Sequence, residues 1–131
     1  MVPKNPRLNK SHWIRLPWLV FAVLLLSACA TARPPVPLGP VPESGLTDGA
    51  YQGQAEIFPC MAEVEIVVQD HKLVDVRVLR ERSGLGGEAK KIIPGRIVQA
   101  QSTSVDAVSG ATRSSQVIME AVQNALDKAR N

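Results

Sequence analysis

Hydrophobic and polar positions alternate most regularly in the middle of the chain. Val64, Ile66 and Val68 alternate with Glu63, Glu65 and Val67, the two-residue period of a strand with one buried face. Gln69-Asp70-His71-Lys72 reads as a turn. Beyond it Val74, Val76 and Val78 alternate with Asp75, Arg77 and Leu79, so the two runs predict an antiparallel hairpin. Upstream, Asp48-Gly49 opens a run over 50–57 that reads as a first strand, interrupted by Phe58-Pro59-Cys60. After Arg82 the period changes. Ser83-Gly84-Leu85-Gly86-Gly87 reads as a flexible loop, and Ala89, Ile92, Ile93, Ile97 and Val98 recur at helical spacing over 88–101. Pro94-Gly95 predicts a break or kink there, with Pro94 starting a second helical piece. The best helical pattern covers 113–130, where Ile118, Val122, Ala125, Leu126 and Ala129 form one stripe. Thr112 and Ser114 are its candidate N-caps. Strands followed by helices predict an α+β domain: a small antiparallel sheet of about three to four strands packed by two helices, the C-terminal one longest. Val64, Ile66, Val76 and Val78 should face the core together with Ile118, Val122 and Leu126.

The start of the chain has a different pattern. Lys4, Arg7, Lys10 and Arg15 precede an apolar run over 16–26, and Ser27-Ala28-Cys29 closes it. A basic head, an apolar stretch and a small-residue exit are the three parts of a secretory signal, and the run falls short of the roughly 20 residues of a spanning helix. Leu26-Ser27-Ala28-Cys29 resembles the bacterial lipobox. That resemblance implies a signal peptide over 1–28, cleavage before Cys29 and a diacylglycerol on the Cys29 thiol. The expected location is the extracytoplasmic face of the bacterial cell envelope, on the outer or cytoplasmic membrane. Ala30 stands where an acidic retention residue would be, which is compatible with outer-membrane sorting. Pro34, Pro35, Pro37, Pro40 and Pro42 then favour extended, poorly packed backbone. Residues 29–45 are expected to be a linker, with the globular domain over 46–131.

Removing the signal changes the composition. The net charge is +3, but four of the fifteen bases precede Cys29, which leaves eleven against twelve acids. A near-neutral domain lacks the clustered basic face of a nucleic-acid binder. Of the two cysteines, Cys29 is assigned to the lipid, so Cys60 has no intramolecular partner and reads as a packed or edge thiol. His71 is alone in a turn, and no metal site is expected.

Candidate chemistry concentrates in 101–115, a stretch of small hydroxylated residues that opens the last helix. Gly110 allows positive φ and close approach of another group. The free N–H groups and positive dipole end of the following helix suit an anion, above all a phosphate, and Ser109 and Thr112 place hydroxyls there. Ordinary helix capping accounts for these Ser and Thr residues about as well, so the physical pattern leaves both readings open.

Asp106-Ala107-Val108-Ser109-Gly110-Ala111-Thr112 resembles the flavinylation motif of the FMN-binding domain family. That domain occurs in the flavin subunits of sodium-pumping NADH:quinone reductase and Rnf complexes, and in small secreted electron-transfer proteins. Other segments match as well. Asp48-Gly49-Ala50-Tyr51-Gln52-Gly53 is similar to the family's opening Asp-Gly-x-Tyr-x-Gly, Asp70-His71-Lys72 to its Asp-Gly-Lys turn, and Glu81-Arg82-Ser83-Gly84-Leu85-Gly86 partly to its Glu-Thr-Pro-Gly-Leu-Gly loop near the flavin. The resemblance implies that Thr112 carries FMN covalently as a phosphoester, made by a separate flavin transferase from FAD with magnesium. It implies that Asp106, Ser109, Gly110, Ala111, Leu85 and Gly86 belong to the flavin site. The function it implies is a membrane-anchored electron carrier working between redox donor and acceptor partners, with no catalytic residue of its own. The alternatives are a flavin-dependent reductase of a small extracytoplasmic substrate and a non-redox adaptor lipoprotein on the same fold.

Overall fold

A computed structural model describes residues 35–84 and 87–130. The segment expected to be a signal peptide (1–28), Cys29, Leu85 and Gly86 lie outside the described residues. Three strands, β1 (Gly49–Ile57), β2 (Cys60–Gln69) and β3 (Lys72–Arg82), form an antiparallel sheet in sequence order. Two helices follow, α1 (Ala89–Ala100) and the longer α2 (Thr112–Ala129). The fold is α+β, with α2 packed on β1 and β2, and α1 packed on β3 and α2.

The regular alternation of β2 produces its buried face. Cys60, Ala62, Val64, Ile66 and Val68 are all buried, while the residues between them are half-exposed. Val76 is buried opposite Ile66, and Val78 is partly buried opposite Val64. From α2, Ile118, Val122 and Leu126 reach the same core, as the periodicity requires. β3 departs from simple alternation. The pairing shifts register at Glu63/Val64 and at Val67/Val68, passing over Leu79 and Val74. Each shift leaves an extra residue on β3, the signature of a β-bulge. Val74 and Leu79 therefore face solvent, and Leu73 takes the buried position expected of Val74.

The two strand connections are both two-residue turns. Phe58 and Pro59, joined by a cis peptide, link the paired residues Ile57 and Cys60, so the segment expected to interrupt the first strand is the tip of the β1–β2 hairpin. Asp70 (φ 52°) and His71 (φ 62°) link Gln69 and Lys72. Both have the positive φ that a tight primed turn needs.

Pro94 does not divide α1, which is continuous from Ala89 to Ala100. The carbonyl that loses its i+4 donor belongs to Lys90, an exposed residue that water can satisfy. Ala89, Ile93 and Ile97 at four-residue spacing are buried across the proline, so packing holds both halves in one register. The expected linker boundary also moves. Val41 is buried, its N–H donates to the Gln101 carbonyl at 2.8 Å, and Thr103 N–H donates to the Gly39 carbonyl at 2.9 Å. The packed unit thus begins by Gly39 rather than near Leu46. Thr103, fully buried, accepts from Gly39 N–H at 3.0 Å and donates through Oγ1 to Gln123 Oε1 at 2.7 Å. The proline-rich strap, the loop after α1 and α2 are linked through this one hydroxyl.

Gly53 sets how closely α2 lies on the sheet. A Cβ there would stand 2.1 Å from the Ala121 carbonyl oxygen and 2.8 Å from Ala125 Cβ. The glycine on β1 and the two alanines on α2 let backbone meet backbone, and this contact fixes the helix that carries the candidate site.

Candidate functional site

The segment singled out by its hydroxyls leads directly into α2. Gly110 has φ +78° and no neighbour within 4 Å of an added Cβ, so it allows the turn and leaves the space beside it open. Ala111 N–H donates to the Val108 carbonyl at 2.9 Å. Ala111 is buried and forms the N-cap, with no side-chain hydrogen bond to the helix and no acidic residue in the first turn. The expected caps are displaced: Thr112 is already the first helical residue, and Ser114 is buried. The first N–H groups of a helix have no intrahelical acceptor. At α2 no side-chain cap serves them, and the helix dipole adds a partial positive charge at this point.

Ser115 is the positioning residue that sequence reasoning passed over. It is fully buried; its Oγ accepts the Val108 N–H at 3.0 Å and donates to the Ala111 carbonyl at 2.9 Å. One hydroxyl thereby staples both sides of Ser109-Gly110 onto the helix. The signal available in the sequence was a second serine one turn into the helix, where a hydroxyl can reach back to the i−4 carbonyl.

Asp106, Ser109, Gly110 and Thr112 are all exposed, and Ala111 is the buried member of the set. The loop brings Ser109, Gly110, Ala111 and Thr112 together by chain continuity. Asp106 stands before the turn, where its carbonyl accepts Arg96 Nη1 at 2.6 Å. Arg96 and Asp106 border a shallow depression of about 420 Å³ with Gln99, Ala100, Ser104 and Val105. Arg113 Nη1 donates to the Phe58 carbonyl at 3.2 Å, which ties the β1–β2 turn to the beginning of α2. The Arg96 guanidinium thus lies against the loop, while that of Arg113 is directed at the β1–β2 turn. Leu85 and Gly86, the other expected contacts, lie outside the described residues.

The features fit a phosphate-bearing ligand: an uncapped helix start with no acid in its first turn, an open glycine, an exposed threonine hydroxyl at the first helical position and neighbouring arginines. A helix N-terminus of this kind is a general anion site.

Comparison with known proteins agrees with this chemistry. Residues 61–127 match the sequence profile of the FMN-binding domain. A 68-residue stretch is 35% identical to part of an NADH:acrylate oxidoreductase from Vibrio harveyi, covering 50% of this chain and 7% of that protein. Among solved structures, the CPE2226 protein from Clostridium perfringens superposes with a TM-score of 0.53 at 19% identity, over 64% of this chain and 88% of that one; the likeness is one of fold.

Proposed function

The chain belongs to the FMN-binding domain family, and from that membership we propose that it is a lipid-anchored, extracytoplasmic electron carrier with FMN joined through its phosphate to Thr112. Family membership makes this a flavoprotein domain; the bond, the anchor and the carrier role are the further steps. The observation that carries the reading is the exposed Thr112 side chain on the first turn of a helix whose N–H groups no side chain caps.

In the proposed attachment the Thr112 Oγ attacks the FMN-side phosphorus of FAD. The pyrophosphate bond breaks, AMP leaves, the hydroxyl proton is lost, and a phosphodiester remains on Oγ. A separate flavin transferase with magnesium performs the step, and Asp106 belongs to the segment it reads. The first N–H groups of α2, together with Ser109, would hold the phosphate, and the open space at Gly110 would leave room for it. Flavin supplies one- or two-electron uptake and release, so the protein needs only to position it and tune its surroundings. A covalent tether keeps the cofactor on a secreted protein at high local concentration.

The carrier reading is favoured over a self-contained reductase by scale. The matching stretch accounts for 7% of the Vibrio harveyi oxidoreductase, which fits a relay within a larger redox system better than a whole reaction. Anchoring through Cys29 would place the relay at a membrane surface, with the chain between Cys29 and Gly39 as the tether from the lipid to the domain.

Intact mass spectrometry of the chain co-produced with a flavin transferase tests the bond. One added FMN unit mapping to the Thr112 peptide is expected; the mass on Ser109 or Ser114, or no bound flavin, overturns it. For the anchor, Cys29→Ala should release the protein from membranes or leave an uncleaved precursor. A variant that still fractionated as mature lipoprotein would refute the lipobox reading.

A further inference from the structure

Phe58 is 84% exposed at the tip of the β1–β2 turn, while the other exposed large apolar side chains among the described residues, Val74 at 43% and Leu79 at 47%, are accounted for by the bulges of β3. Between residues 35 and 130 the chain has two aromatic side chains, Tyr51 and Phe58. Tyr51 is half-buried against the core, and its hydroxyl donates to the Thr47 carbonyl at 3.0 Å. Phe58 contributes nothing comparable to the fold. Tight turns favour glycine, proline and short polar residues, and a phenyl ring in water is unfavourable. The turn stands beside the proposed flavin site. Arg113, which follows Thr112, donates to the Phe58 carbonyl, and Cys60 on the other side of the turn is buried in the core.

We propose that Phe58 is a binding face for the flavin ring: the phenyl group packs on the isoalloxazine of the FMN held at Thr112, and Arg113 positions the turn for that contact. The proposal rests on the Thr112 reading. A tether at the phosphate fixes only one end of the cofactor. The ring at the other end is flat, aromatic and largely apolar, and such rings gain from offset or edge contact with another aromatic. A second contact at the hairpin tip would shield one face from water and restrict the orientation in which the ring meets redox partners. Phe58 is thereby assigned a role in ligand contact that neither hydropathy alternation nor the family motif identifies.

The test uses the full chain co-produced with a flavin transferase, FAD and magnesium, comparing the wild type with Phe58→Ala, Phe58→Trp and Leu79→Trp. Quenching of flavin emission by iodide should rise about twofold in Phe58→Ala, because removing a stacked ring opens roughly one of the two faces. Phe58→Trp should lower the emission below wild type, since an indole in contact quenches an excited flavin. Leu79→Trp, on β3, should leave it unchanged. Equal melting temperatures of the flavin-free proteins would show that the turn variants fold. Unchanged iodide access in Phe58→Ala together with unchanged emission in Phe58→Trp overturns the inference, and the exposed ring then belongs to a surface for a partner. A wild-type chain without bound flavin overturns the Thr112 reading and this contact with it.

Discussion

The turn at Asp70 and His71 and the loop at Ser109, Gly110 and Ala111 both force the backbone to positive φ, but they treat their N–H groups in opposite ways. At the first, the protein supplies its own anion. Asp48 Oδ1 accepts the His71 N–H at 3.2 Å, and His71 Nδ1 lies 2.6 Å from the Leu46 carbonyl, an arrangement that requires a proton on Nδ1. At the second, the helix that follows begins without a side-chain cap or an acid in its first turn. A structural turn is closed by groups from the chain itself. The loop assigned to the flavin is stapled from beneath by Ser115 and presents its remaining polar groups outward. The contrast suggests how to tell a capped helix start from a ligand-bearing one when both are rich in Ser and Thr.

The sharpest way to break the contrast is to remove the outward hydroxyl. Thr112→Val keeps the shape of the side chain and should abolish flavin attachment completely in the mass-spectrometric assay. Because Thr112 is exposed, stability should change by no more than about 0.5 kcal/mol. Retained flavin in this variant would mean that the loop is open for another reason.

Both loops depend on the packed layer beneath them, so core changes should affect them together. Leu126→Ala, at a position 1% exposed, should cost about 2–5 kcal/mol in denaturant unfolding. Gly53→Ala should cost about 3 kcal/mol, since its Cβ would collide with backbone atoms of α2 that cannot rotate away. A Gly53→Ala protein as stable as wild type would mean that α2 can lift from β1 freely, and the site would then lack a rigid base.

Ser115→Ala separates the staple from the loop. It leaves the part-buried Val108 N–H without its acceptor, at a cost of about 1 kcal/mol, the low end for an unsatisfied donor. The expected result is modest destabilisation together with slower flavin attachment at Thr112. Destabilisation with an unchanged attachment rate would assign Ser115 to the helix alone.

What the sequence made legible follows from periodicity. β2 and α2 carry uninterrupted periods of two and about 3.6 residues, and the buried positions Val64, Ile66, Ile118, Val122 and Leu126 agree with them. β3 departs from simple alternation at Val74 because a bulge inserts a residue without leaving a mark in an apolar run. The strap at Gly39 and Val41 was hidden because proline-rich composition reads as unpacked chain, while its attachment needs only a few hydrogen bonds to the loop after α1. Local rules predict a break at Pro94 because they omit the burial of Ala89, Ile93 and Ile97 around it. At the candidate site, Ser109, Gly110 and Thr112 are legible as a motif. Ser115 and Phe58 are not, since the staple depends on a hydroxyl reaching back one turn and the role proposed for Phe58 depends on a hairpin tip distant in sequence.

The smallest effect concerns the closed turn, and it has a definite sign. Hydrogen bonds from the N–H groups of His71 and Asp70 hold the Asp48 carboxyl below its ordinary value of 3.8, with a lesser contribution from the His71 charge. A carboxyl whose pKa is lower in the folded state stabilises that state fully above the unfolded value and loses the contribution as pH falls through the folded one. The stabilisation should therefore be present at neutral pH and fade below about pH 4. Asp48→Asn removes the charge at every pH. Its melting temperature should lie slightly below wild type at pH 7, and the two should converge in acid. Asp48 is fully exposed, so salt should also narrow the gap. Equal gaps at pH 7 and pH 3 would show that the carboxylate charge does not close this turn, and the contrast with the uncapped start of α2 would then have to rest on geometry alone.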